Sequence, residues 1–76
     1  MATYNGHKNW NHWNVALWIA NDEGLYAMAR DVISAWPTQD AAARAMVEEL
    51  KATGQDTTPD GAPYTFTTVR AALRGL

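Results

Sequence analysis

Few residues of this chain have the chemistry of a reactive site, and their spacing suits it poorly. Nucleophilic catalysis needs a Cys, Ser or Thr set beside a base, usually His. The chain has no cysteine, and its one serine, Ser34, falls on the polar side of a helical pattern, where solvation is the simpler account. His7 and His12 are five residues apart, which on a helix separates them by about 140°, so they do not converge on a metal as an i, i+4 pair does. Asp56 and Asp60 share a turn-rich segment that lacks the alternating oxygen ligands of a calcium loop. Glu48 and Glu49 are adjacent, hence splayed by about 100° on a helix, which makes a poor acid and base pair and a good solvated face. The five glycines stand singly, so there is no phosphate-cradling loop. The expectation is a protein without catalytic residues, cofactor or metal.

The distinctive chemistry is hydrogen bonding combined with aromatic bulk. NWNHWNVALWIANDEGLY, residues 9–26, holds three tryptophans and four asparagines in eighteen positions. Asn11, Asn14, Trp18 and Asn21 fall at i, i+3, i+7 and i+10, so they line one face of a helix that is otherwise largely apolar. Asparagine is a weak helix-interior residue because its amide competes for backbone hydrogen bonds. A half-buried amide without partners costs about 1–3 kcal/mol, so something must satisfy these side chains. One account has them bonded within the protein, to an amino-terminal arm or to the last loop, with Trp10, Trp13 and Trp18 filling the core. The other leaves part of the face exposed as a recognition patch, since Trp with adaptable amides is typical of interface centres.

Four helices are expected to position these groups in one all-α domain spanning 1–76, with residues 1–8 as an arm lying on the core through Tyr4. In the first helix Trp10, Trp13, Leu17 and Ala20 keep helical spacing beside a second strip of Val15, Trp18 and Ile19. That pattern predicts burial over more than half its circumference and a place at the centre of a compact bundle. A single helix over 9–36 would be about 40 Å long, too long for a compact chain of this size, so a break is expected near Asn21 to Gly24. Asn21-Asp22-Glu23 then opens a second helix, a capping side chain followed by acids, whose stripe is Leu25, Met28, Ala29, Val32, Ile33 and Trp36. Pro37 ends it. Thr38 caps a third helix with the stripe Ala43, Met46, Val47 and Leu50, its alanines pointing to close helix packing, and Gly54 follows where a left-handed residue is expected. GQDTTPDGAPY, residues 54–64, is a loop in which Pro59-Asp60-Gly61 fits a tight turn. Thr65 caps a fourth helix carrying Phe66, Val69, Leu73 and Leu76, with Tyr64 and Val69 as a hydrophobic staple. The competing expectation for 64–69 is a short strand, because YTFTTV is rich in aromatic and β-branched types.

Composition limits the partners. Six Lys and Arg against eight Asp and Glu give a formal charge of -2, too small and scattered for a DNA mimic and of the wrong sign for a generic nucleic-acid binder. The best basic cluster would be Arg70 and Arg74 with Arg44 or Lys8. No stretch approaches the roughly 18 apolar residues of a membrane span, no export signal is visible, and the absence of cysteine suits a reducing interior, so the cytoplasm is the expected compartment.

The run KNWNHWNVALWIANDEGLY, Lys8 to Tyr26, resembles the signature of a family of very short, uncharacterised proteins encoded mainly by bacteriophages and related mobile elements. The resemblance covers about a quarter of the chain and offers no catalytic residues. What it implies is a phage setting, in which small non-enzymatic proteins often bind and block a host machine. The functional expectation is therefore an inhibitor of a host protein complex, an anti-CRISPR protein occluding a CRISPR effector being the leading case. Asn11, Asn14, Trp18, Glu48, Glu49 and Asp60 are the candidate contact residues. The alternatives are a nucleic-acid-binding accessory protein and a self-associating piece that pairs through Trp18 or the fourth-helix stripe.

Overall fold

The computed structural model describes residues 9–76; the expected arm at 1–8, with Tyr4, His7 and Lys8, lies outside them. The described residues fold into four helices, α1 (Trp10–Asn21), α2 (Glu23–Ala35), α3 (Gln39–Ala52) and α4 (Phe66–Arg74). Local chemistry sets the helix starts. Asn9, Asp22, Thr38 and Thr65 each present a side-chain oxygen to a backbone N–H three residues on, at 3.0, 2.9, 3.1 and 3.2 Å, satisfying donors that no helical carbonyl can reach. The break between α1 and α2 is one residue long. Asp22 is extended (φ -92°, ψ 124°), its N–H donates to the Trp18 carbonyl to close α1, and its carboxylate opens α2.

The ends follow equally local rules. Trp36 is extended (φ -113°, ψ 141°), as expected of a residue before proline. Past α3, Gly54 takes φ 80°, while Gln55 N–H donates to Leu50 and Gly54 N–H to Lys51, the paired bonds of a left-handed helix stop. The segment after Thr65 is helical, so the strand alternative for 64–69 is set aside. A reciprocal capping box explains the preference: Thr65 accepts from Thr68 N–H while Thr68 Oγ1 accepts from Thr65 N–H.

The helices pack in a closed cycle: α1 lies on α4 and α2, and α3 lies on α4 and α2. The Trp-rich helix is therefore one member of the ring, packed most extensively on α4, and not its centre. The core contains Val15 and Ile19 from α1, Leu25, Ala29 and Val32 from α2, Ala42, Ala43, Met46 and Leu50 from α3, and Val69, Ala72 and Leu73 from α4. Two of the α3 alanines, Ala42 and Ala43, are fully buried, and α3 meets both α4 and α2. Between α3 and α4, Arg70 pairs with Asp40 and the Arg44 guanidinium lies 4.5 Å from the centroid of the Phe66 ring.

Two burial expectations are corrected. On α1 the buried face is Asn14, Val15 and Ile19, whereas Trp10 and Leu17 are exposed and Ala20 lies at the surface. A helix in a four-membered cycle is covered on one side, not around most of its circumference. Trp36 keeps the helical spacing of α2 but is 48% exposed, because it is the extended residue at which the chain leaves the helix. The cap before α4 is open to a direct test: Thr65→Ala should destabilise the protein by about 1 kcal/mol, measured as a fall in the urea midpoint with an unchanged slope.

Candidate functional site

Loop 54–64 closes on itself before it reaches α1. Thr58 carbonyl accepts from Gly61 N–H at 2.9 Å, with Pro59 and Asp60 between them. The turn thus has proline where a preset φ is wanted and glycine, at φ 96°, at its exit. Thr58 N–H donates to the Ala62 carbonyl at 2.8 Å and Thr58 Oγ1 accepts from Ala62 N–H at 3.1 Å. Thr57 and Pro63 form a single antiparallel bridge. The expected tight turn at 59–61 is present, and it aims Asp60 at α1.

Asn14 is the receiving group. It is 1% exposed, and both ends of its amide are engaged by the loop: Nδ2 donates to Asp60 Oδ2 at 2.9 Å, and Oδ1 accepts from Thr58 Oγ1 at 2.6 Å. Trp18, one turn further along α1, donates its indole N–H to the same Asp60 oxygen at 2.9 Å. For this amide the intramolecular account is the one observed. Hydrogen bonds from Asn14, and then from Trp18, hold the Asp60 carboxyl below its ordinary value of 3.8, with a smaller opposing push from desolvation. Each bond has an ionised acceptor and is stronger than its neutral counterpart. Among the described residues no buried side-chain nitrogen or oxygen lacks a partner.

The candidate residues are thus only partly brought together. Asn14, Trp18 and Asp60 form one cluster, with Asn14 inside and Asp60 at the surface. Asn11 is exposed on the first turn of α1. Asn21 is exposed and donates from Nδ2 back to the Leu17 carbonyl at 2.8 Å, an i-4 bond within its own helix. Glu48 and Glu49 are exposed on α3, which stands across the helix cycle from α1. Of the basic residues weighed for nucleic acid, Arg70 and Arg44 face Asp40 and Phe66. The fourth-helix stripe weighed for self-association is spent on the core at Val69 and Leu73. Among the described residues no three His, Asp or Glu side chains gather as metal ligands would, and no helix is long and apolar enough to cross a membrane.

Two features escaped the sequence. The first is Thr58, 2% exposed and the partner of Asn14; its position just before Pro59-Asp60-Gly61, where a turn favours a short polar residue, was the available signal. The second is a surface groove of about 260 Å³ between α1 and the end of α4, lined by Trp13, Ala16, Leu17 and Ala20 on one wall and by Ala72 and Leu76 on the other. Ala20 and Asn21 also border a separate depression of about 150 Å³, which Asp22, Glu23 and exposed Tyr26 complete.

The cluster makes two expectations. Asn14→Ala leaves the buried Thr58 hydroxyl without its acceptor and should destabilise the fold by about 1–3 kcal/mol, read from urea unfolding. Asp60 has a depressed folded-state pKa, so its contribution to stability is present above the ordinary value of 3.8 and is lost as pH falls through the lower folded value. Asp60→Asn should lower stability at neutral pH and flatten the acid limb of the stability profile below pH 3.8; an unchanged acid limb would show that other carboxylates carry it.

Comparison with known proteins adds a family and no activity. No curated protein and no solved structure matches the chain. A family model does match, over residues 1–73, and the chain belongs to that family, DUF7249, a family of unknown function.

Proposed function

We propose that this protein is a non-catalytic binding module that works by covering a surface of another protein, the partner being a host complex and a CRISPR effector the first to test. The observation that carries the proposal is the groove between α1 and α4. Single exposed apolar side chains are ordinary on any small domain, but here Leu17, 39% exposed, and Leu76, 38% exposed, flank one concavity that Trp13 also lines. A contiguous apolar depression with an aromatic residue in its wall has the character of an interface core. The phage setting, and with it the idea of inhibition, comes from the resemblance of residues 8–26 to short phage proteins.

In this reading recognition rests on the α1 wall of the groove, Trp13, Ala16, Leu17 and Ala20. Asn14 serves it from inside, by fixing the loop that leads into α4, while Asn11 stands at the surface on the same helix. Glu48 and Glu49, on α3, would meet a basic nucleic-acid channel only in a partner that wraps around the molecule.

The two surfaces are separable by mutation. Tagged protein incubated with a purified CRISPR effector, or with host lysate followed by mass spectrometry, should retain a defined complex. Leu17→Glu should abolish retention while leaving the far-ultraviolet circular dichroism unchanged, and the Glu48→Ala, Glu49→Ala double variant should retain it. Loss in the double variant alone would move the contact to α3. Equal retention by all three proteins would remove the groove from the interface.

A further inference from the structure

We propose a second, independent site: the pocket between Trp18, the start of α2 and loop 54–64 binds an alkylated ammonium group. The pocket has a volume of about 220 Å³, and Trp18, Asp22, Leu25, Met28 and Tyr64 are among the residues that line it. Leu25 and Tyr64 are buried and make a dry floor, Trp18 and Met28 are half-buried walls, and Asp22 is exposed at the rim. Two aromatic rings and a thioether beside a carboxylate are the elements of a cation-binding cage. The ring quadrupoles attract positive charge, and methyl groups on nitrogen gain dispersion against the rings and the sulfur while losing little hydration.

The local charge has the required sign. The α2 N-terminus opens at this rim, and its dipole alone would favour an anion. However, its Leu25 N–H is taken by Asp22 Oδ1 at 2.9 Å, and the full charge of that carboxylate outweighs the partial charge of the helix end. Asp60 Oδ2 receives the Trp18 indole N–H at 2.9 Å, so a second carboxylate lies at the edge of that ring. Burial raises the Tyr64 hydroxyl above its usual value of 10.0, and the charge of Asp22 raises it further. The phenol is therefore neutral at physiological pH, and the negative field of Asp22 reaches into the pocket. This site is distinct from the apolar groove and does not depend on the identity of a protein partner.

Tetramethylammonium chloride, titrated against sodium chloride at matched ionic strength, is the probe. Saturable shifts are expected at the Trp18 indole N–H, the Met28 methyl and the Tyr64 ring in NMR spectra. Asp22→Asn retains a good helix cap and removes the charge, so it should weaken binding roughly tenfold, whereas Asp31→Asn, the same charge change elsewhere on α2, should not. A thermal melt of each variant confirms that it is folded. Choline and N-acetyl-trimethyllysine methylamide then separate the sources: tighter choline points to a free small molecule, and tighter trimethyllysine to a modified protein. Non-saturating shifts, or equal effects of Asp22→Asn and Asp31→Asn, would overturn the proposal by reducing it to general surface charge.

Discussion

A side-chain amide buried in the middle of a helix must find both a donor and an acceptor, and in this protein that requirement ties the longest loop to α1. Asn14 has no polar neighbour within its own helix that answers both needs; Thr58 and Asp60 do. Because the two loop residues flank Pro59 in one tight turn, the turn's rigidity and the amide's fixed geometry select each other. Trp18 adds a third bond to the same carboxylate oxygen, so Asp60 joins two successive turns of α1. Networks of this kind contribute little net energy when whole and cost much when broken, which makes them better at specifying an arrangement than at adding stability.

The consequence travels down the chain. Once the turn is seated, Ala62 and Tyr64 are buried behind it, Thr68 Oγ1 donates to the Pro63 carbonyl at 2.9 Å, and Thr65 opens α4 in a position dictated by the loop. From there α4 runs against α1 and α3, and its last residues form one wall of the apolar groove. A polar contact near the middle of α1 thus sets the placement of a hydrophobic surface that it does not touch. The same turn brings Pro59 and Tyr64 to the Trp18 pocket, so both candidate surfaces share one clamp.

What was legible in the sequence is what local chemistry decides. Thr38 and Thr65 as caps, Pro37 as a stop and Gly54 as a left-handed exit all depend on a few neighbouring residues, and each occupies the expected place; the cap of α2 is Asp22, one residue beyond the expected Asn21, which ends α1. The need of Asn14 for partners was legible too, because an amide among apolar neighbours announces it. Which partners answered was not, since the contacts span 44 and 46 residues and no local rule links them. The burial of α1 was misjudged for a related reason. Its Trp, Leu and Ala residues surround the helix, so periodicity offers two apolar strips, and only the positions of α2 and α4 decide that Val15 and Ile19 go inside while Trp10 and Leu17 stay out. Trp36 fails differently: it keeps helical spacing in sequence, but Pro37 removes it from the helix.

The exposed apolar residues also follow from the size of the core. A chain of 76 residues buries only about 60% of the surface its unfolded form exposes, and here the core includes several small side chains, among them Ala29, Ala42, Ala43 and Ala72. Close approach at such residues leaves little internal volume for large rings, so with four tryptophans in the chain some aromatic surface must remain outside. Exposure of Trp36 alone therefore says little about function. Concavity is what distinguishes the α1 face: its exposed leucine and that at the end of the chain, Leu17 and Leu76, line one groove together with Trp13. Tyr26 and Trp36 are exposed elsewhere on the cycle, as a surplus forced by size would be, whereas Leu17 and Leu76 share one concavity.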